Sequence, residues 1–345
     1  MRVLNAALRI TSDRPILPLD MKNSLIVMVA IFAAFGTAAM ARPFINDKPA
    51  PEGRGDLEVI QSLLHRNLPA ARAATVAIEL EKGSGTGVIV SEDGLVLTAA
   101  HVSTGVDLDL TVVMEDGTRH DAVSLGLVAS SDAAMIRLLG EGPFPYVEYD
   151  SEDRTRLGDW VFSLGHSGGF AEDRGPVVRL GRVVRIAQST YQSDCMLIGG
   201  DSGGPLFDLE GRLVAIHSRV GQRLPENMHV PMREFLRYWD AMKNGEFVGS
   251  GPFAQMPSPG TGFLGLVGEA GDGGLEIQRL ANRGPAAKAG LEVGDVILTI
   301  NGNEVPDRDT LRKILDEMAA GQRITMEIRR ESGEHETLEF RLDER

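Results

Sequence analysis

The chain has 345 residues, enough for two domains beyond a targeting segment. Its formal net charge is −14, from 35 basic and 49 acidic side chains, and no block of lysine or arginine stands out, which argues against nucleic acid as a partner. Hydrophobic content of 43% with 40 glycines marks a globular, turn-rich protein, and Cys195, the single cysteine, excludes an intrachain disulfide.

Residues 1–41 read as a targeting segment. Lys22 supplies a positive n-region, Leu25 to Phe35 is an apolar run, and Ala39-Met40-Ala41 has the small-x-small form of a signal-peptidase site. Met21-Lys22 resembles a natural start, which would make residues 1–20 an extension. The apolar run is shorter than the roughly 20 residues of a membrane span, so cleavage and export to the periplasm or medium are expected. An uncleaved segment would instead anchor the chain in a membrane.

Residues 42–73 read as a linker followed by a short helix over Asp56–Leu68, with Leu57, Ile60, Leu63 and Leu64 on one face and Asp56 as its cap. From residue 74 to 243 the pattern is short strands. Thr75–Leu80, Thr86–Val90, Leu95–Thr98 and Thr111–Met114 are rich in β-branched residues, with Glu92-Asp93-Gly94 and Glu115-Asp116-Gly117 as hairpin signals. Trp160–Leu164, Val177–Ile186, Pro205–Phe207 and Leu213–His217 continue the series, and Arg233–Met242 reads as a closing helix. There is no βαβ alternation and no evident internal repeat.

Three motifs in this region carry chemistry. TAAH places His101 after a strand, SSDAAMIRL places Asp132 at the start of a buried strand, and GDSGGP places Ser202 among glycines. A serine hydroxyl is a weak nucleophile until a base takes its proton, and the base needs a third group to fix its tautomer. His101, Asp132 and Ser202 are the candidates for those roles. The glycines permit a tight turn whose Gly200 and Ser202 amides form a candidate oxyanion hole. The separations suit two β-barrels meeting at a cleft.

Gly165-His166-Ser167-Gly168-Gly169 also fits the G-x-S-x-G nucleophile elbow. That elbow needs a strand–turn–helix context, and here a polar loop and another strand follow. Ser167 is therefore read as a loop residue whose loss leaves chemistry largely intact. Cys195 reads as a small buried apolar side chain.

Residues 244–260 contain four glycines and three prolines and form a linker. Residues 261–343 then mix strands and helices. Pro285–Ala289 is a short helix stopped by Gly290, Asn301-Gly302 is a hairpin turn, and Leu311, Ile314, Leu315 and Met318 have helical spacing. Among the remaining histidines, none stands with carboxylates at metal-ligand spacing, so no metal or organic cofactor is expected.

GSGTGVIVSEDGLVLTAAHV (83–102), SSDAAMIRL (130–138) and SDCMLIGGDSGGPLFDLEGRLVAIHS (193–218) resemble the HtrA/Deg family of trypsin-like serine proteases. Gly262-Phe263-Leu264-Gly265-Leu266 and GPAAKAGLEVGDVILTINGNEV (284–305) resemble a PDZ domain. The resemblance implies a mainly β fold, a chymotrypsin-like double β-barrel followed by an α+β PDZ domain. It implies an endopeptidase acting on unfolded, partly folded or mislocalised proteins. Phe263, Leu264, Gly265 and Leu266, with Leu311 and Ile314 on the facing helix, would bind peptide C-termini.

The resemblance has departures. The family usually has asparagine where this chain has Asp201, which is expected to pair with an arginine or water. The short Leu80–Gly85 connection argues for a trimer or monomer rather than a cage. Met196, Leu197, Ala215 and His217 would line the specificity pocket. His217 falls where glutamate-specific proteases bind an acidic side chain, whereas Met196 and Leu197 suit small aliphatic residues. Two other readings remain open: a non-catalytic PDZ chaperone or scaffold, and a regulatory protease with one dedicated substrate.

Overall fold

Runs of β-branched residues broken by glycine turns fold into antiparallel hairpins, and these close into barrels. The computed structural model describes residues 44–80, 83–221, 226–256 and 258–344. The proposed signal peptide and its cleavage site lie outside the described residues. Among those described, no helix is long and apolar enough to cross a membrane.

The first barrel uses β1 (Thr75–Leu80), β2 (Gly83–Ile89), β3 (Leu95–Thr98), β4 (Asp109–Val113), β5 (Arg119–Val128) and β6 (Ala133–Leu138). They pair in the order β1-β2-β3-β6-β5-β4, and β4 returns to β1. The second barrel uses β7 (Trp160–Gly165), β8 (Val177–Ala187), β9 (Thr190–Ser193), β10 (Pro205–Asp208), β11 (Leu213–Val220) and β12 (Asn227–Pro231). Its order, β7-β8-β9-β12-β11-β10 and back to β7, repeats that of the first. The architecture is thus duplicated although the sequence shows no repeat. Full closure leaves neither barrel with a free edge strand. One core runs through both: Val76, Ile78 and Met135 from the first barrel share it with the stacked Phe162 and Phe207 of the second.

Helix α1 (Arg54–Ala74) is longer than expected and runs through Pro69. Pro69 removes one backbone hydrogen bond, but Ile60, Ala71 and Ala74 are buried beyond and before it and hold the helix on the barrels. Asn67 Nδ2 donates to Leu209 O at 2.8 Å and Arg72 meets Glu115 at 2.6 Å. Gly53, not Asp56, is the N-cap, and Asp56 in the first turn accepts from Glu52 N–H and Lys48. Helix α2 (Ala100–Ser103) follows β3. The expected closing helix is two short ones, α3 (Met232–Arg237) and α4 (Trp239–Lys243), interrupted at Tyr238. Strand β13 (Phe247–Val248) then joins β5 in parallel.

The C-terminal unit has its own core. Strand β14 (Gly262–Phe263) pairs with the terminal strand. Strands β15 (Leu266–Gly271), β16 (Gly274–Leu280), β17 (Val296–Ile300), β18 (Asn303–Glu304), β19 (Arg323–Arg329) and β20 (His335–Arg341) form one sheet, and β21 (Asp343–Glu344) is the partner of β14. Helices α5 (Pro285–Lys288) and α6 (Arg308–Asp316) pack against it, α6 being capped by Asp307 through Thr310 N–H. Asn301 and Gly302 both have positive φ, the geometry of a two-residue hairpin turn between β17 and β18. Arg323 and Arg341 moor this unit to Asp107 and Asp109, just beyond α2, with contacts of 2.9 to 3.5 Å.

Candidate active site

His101 sits in α2 and Asp132 immediately before β6, so both hang from the first barrel. Strands β3 and β6 pair directly, which brings the two together across 31 residues of sequence. Asp132 is fully buried and has φ of 66°, a conformation that a non-glycine residue holds only where its surroundings enforce it. Here its carboxylate accepts from His101 Nδ1 at 3.0 Å, from the His101 backbone N–H at 3.1 Å and from Ser218 Oγ at 2.5 Å. The imidazole is thereby oriented with Nδ1 toward the carboxylate and Nε2 directed away from it.

Ser202 comes from the second barrel, in the loop between β9 and β10. The link to the first barrel is direct: Thr86 N–H donates to Ser202 O at 2.8 Å and Thr86 Oγ1 to Gly200 O at 2.7 Å. Ser202 Oγ donates to Ser218 O at 3.4 Å and makes no hydrogen bond to His101. Gly200 has φ of 94°, and a Cβ there would meet the His166 carbonyl. Only glycine fits. Neither the Gly200 nor the Ser202 amide donates to a protein group among the described residues, so both remain available to an oxyanion.

Ser218 on β11 was not among the predicted site residues. It touches both the aspartate and, through its carbonyl, the serine. Its position directly after His217 gave no separate sequence signal.

The expected pocket divides. Met196 is exposed and Leu197 is buried beside it, its N–H donating to Asn227. Ala215 belongs to the core of the second barrel. His217 is fully buried inside the barrel. Its Nε2 meets Leu164 O at 3.2 Å and its Nδ1 meets His229 Nδ1 at 2.9 Å, while His229 Nε2 meets Ser193 Oγ at 2.7 Å. The Leu164 carbonyl can only accept, so His217 carries its proton on Nε2 and accepts at Nδ1. His229 then donates from Nδ1 and accepts from the Ser193 hydroxyl. Burial drives the His217 pKa well below its ordinary value, with His229 and Arg179 adding to the shift, and burial lowers His229 to about 3. This hydrogen-bond pattern is that of a neutral pair. Cys195 lies in the same core, its thiol pushed up to about 11 by burial.

In the C-terminal unit, Leu264, Gly265 and Leu311 are buried, Leu264 and Leu311 in the core, whereas Phe263, Leu266 and Ile314 are half-buried. Strand β15 is the outer strand of its sheet on this side. No group of three or more His, Cys, Asp or Glu side chains among the described residues is arranged to hold a metal ion.

Two six-stranded barrels with a histidine–aspartate couple on one and a glycine-flanked serine on the other define a trypsin-like peptidase fold, here followed by a PDZ fold. Family comparison agrees. A model described as Trypsin-like peptidase domain matches residues 85–216, and one described as PDZ domain matches residues 262–342. Curated relatives named "Probable periplasmic serine endoprotease DegP-like" include those of Bartonella henselae, 29% identical over 75% of this chain and 53% of that protein, and Brucella suis, 30% identical over 72% and 50%. The chain spans about half the length of these relatives. A solved serine endoprotease from Yersinia pestis is 21% identical, with a TM-score of 0.47 over 86% of this chain and 99% of that one. The chain therefore carries a trypsin-like peptidase domain followed by a PDZ domain and is similar to the DegP-like serine endoproteases.

Proposed function

We infer that this protein is an exported serine endopeptidase that hydrolyses unfolded or mislocalised proteins, its PDZ domain capturing peptide C-termini along β15. One observation carries the reading: a buried carboxylate fixes the His101 imidazole, and Ser218 links that carboxylate to Ser202, whose turn holds two amide donors with no protein acceptor.

In the reaction, Ser202 Oγ turns from the Ser218 carbonyl to His101 Nε2 and attacks the scissile carbonyl carbon as its proton passes to the imidazole. Asp132 stabilises the imidazolium, and the Gly200 and Ser202 amides bind the oxyanion. The imidazolium protonates the leaving amine, and water repeats the sequence to release the acid. The apolar Met196 and Leu197 favour a small aliphatic residue before the cleaved bond.

A non-catalytic scaffold is the second reading, and the Ser202–Ser218 bond is the observation in its favour. Casein digestion and labelling by an alkyl fluorophosphonate decide between them. Cleavage and labelling by the wild type, both lost in Ser202→Ala, support the peptidase; a wild type inert in both assays refutes it. Peptides varied at the cleaved residue test the pocket, and a preference for glutamate would overturn the aliphatic assignment.

A further inference from the structure

The GHSGG stretch that resembles a second nucleophile has a partner in the turn that bears Ser202. Asp201 is fully buried, and a carboxylate without water must be paired and hydrogen-bonded. Its Oδ1 accepts from Ser167 Oγ at 2.6 Å, and its Oδ2 accepts from Ile198 N–H at 2.9 Å and meets Arg179 Nη2 at 3.0 Å. The same Arg179 nitrogen donates to Ser167 Oγ at 2.9 Å, so three side chains close a ring. Ser167 and Arg179 are themselves well buried, at 6% and 17% exposure. Gly165 makes the approach possible, because a Cβ there would overlap the Asp201 carboxylate.

The ring is tied to the turn that carries the oxyanion donors through Asp201, which is part of that turn and accepts from Ile198 N–H. Asp201 N–H closes that turn onto Ile198 O at 3.1 Å, and Gly168 N–H holds Gly199 O at 2.7 Å. Arg174 Nη2 donates to Ser167 O at 2.7 Å and fixes the loop from its other side.

We propose that Arg179 and Ser167 are positioning residues for the oxyanion hole, acting through Asp201. Resting on the peptidase reading, this assigns the chain a counter-ion carried within its own barrel strand β8. Amide donors stabilise developing charge only if they are fixed before it develops. Without Arg179, Asp201 becomes a buried unpaired charge, and the turn must open to hydrate it.

The test uses the full chain and the variants Arg179→Gln, Arg179→Lys, Ser167→Ala and Arg179→Gln/Asp201→Asn. The readouts are kcat and KM on a fluorogenic peptide, the rate of Ser202 labelling by an alkyl fluorophosphonate, and thermal unfolding. Arg179→Gln is expected to lower kcat and labelling by about 10- to 100-fold with KM within about twofold. Ser167→Ala, which keeps the ion pair, is expected to lose about three- to tenfold. Lysine restores part of the arginine loss, since it replaces the charge but not the planar fork. The double variant removes the buried charge with its partner and is expected to exceed Arg179→Gln alone. Folded Arg179→Gln with kcat within about twofold of wild type overturns the proposal, as does a loss that merely follows the folded fraction. If Arg179→Gln does not fold, Ser167→Ala and Arg179→Lys decide, and wild-type kcat in both overturns it. A wild-type chain that fails to label at Ser202 refutes the peptidase reading instead.

Discussion

The buried His217–His229 pair should make the second barrel sensitive to mild acid. Both imidazoles are held neutral by burial, His229 with a pKa lowered to about 3 and His217 lowered well below 6.5. On unfolding each returns to its ordinary value and binds a proton below about pH 6.5. The unfolded state then holds more protons, so stability is fully present above about pH 6.5 and is lost as pH falls toward the folded values. At about pH 5.5 each released imidazole gains about 1.4 kcal/mol, so the pair lowers stability by about 3 kcal/mol relative to about pH 7.5. The assay is urea unfolding of the Ser202→Ala variant, which avoids self-digestion, followed by tryptophan fluorescence. Trp160 on β7 reports on the barrel that holds the pair. His229→Gln should roughly halve the pH dependence. A midpoint unchanged between about pH 7.5 and about pH 5.5 would refute the neutral-pair reasoning.

Other outcomes follow from particular contacts. Ser218→Ala removes the hydroxyl that donates to Asp132 and should lower kcat by about tenfold with KM nearly unchanged, as steady-state kinetics on a fluorogenic peptide would read. Cys195 should resist a thiol reagent in the native protein and react fully in denaturant, since burial keeps its thiol protonated; rapid native labelling would contradict its placement. Arg323→Glu/Arg341→Glu should expose residues 249–261 to limited proteolysis by repelling Asp107 and Asp109. High salt should produce a weaker form of the same effect in the wild type, because the Asp107 and Asp109 carboxylates of these pairs are solvent-exposed.

Local chemistry was legible in the sequence. The glycine turns at Gly94 and Gly117 have the positive φ their hairpins require, and Asn301-Gly302 forms its turn because the two residues tolerate that backbone without help. The order His101, Asp132, Ser202 could be read because each motif carries its own strand or turn context. Tertiary structure decided the rest. Helix α1 crosses Pro69 because packing against two barrels outweighs one lost hydrogen bond. The direction of His217 was not legible because β11 is buried on both faces, so alternation does not tell cleft from core. The duplicated strand order had no sequence signal because topology constrains which strands pair, not which side chains fill them. Arg179, Ser167 and Asp201 lie far apart along the chain, and only barrel closure gives the buried carboxylate its counter-ion.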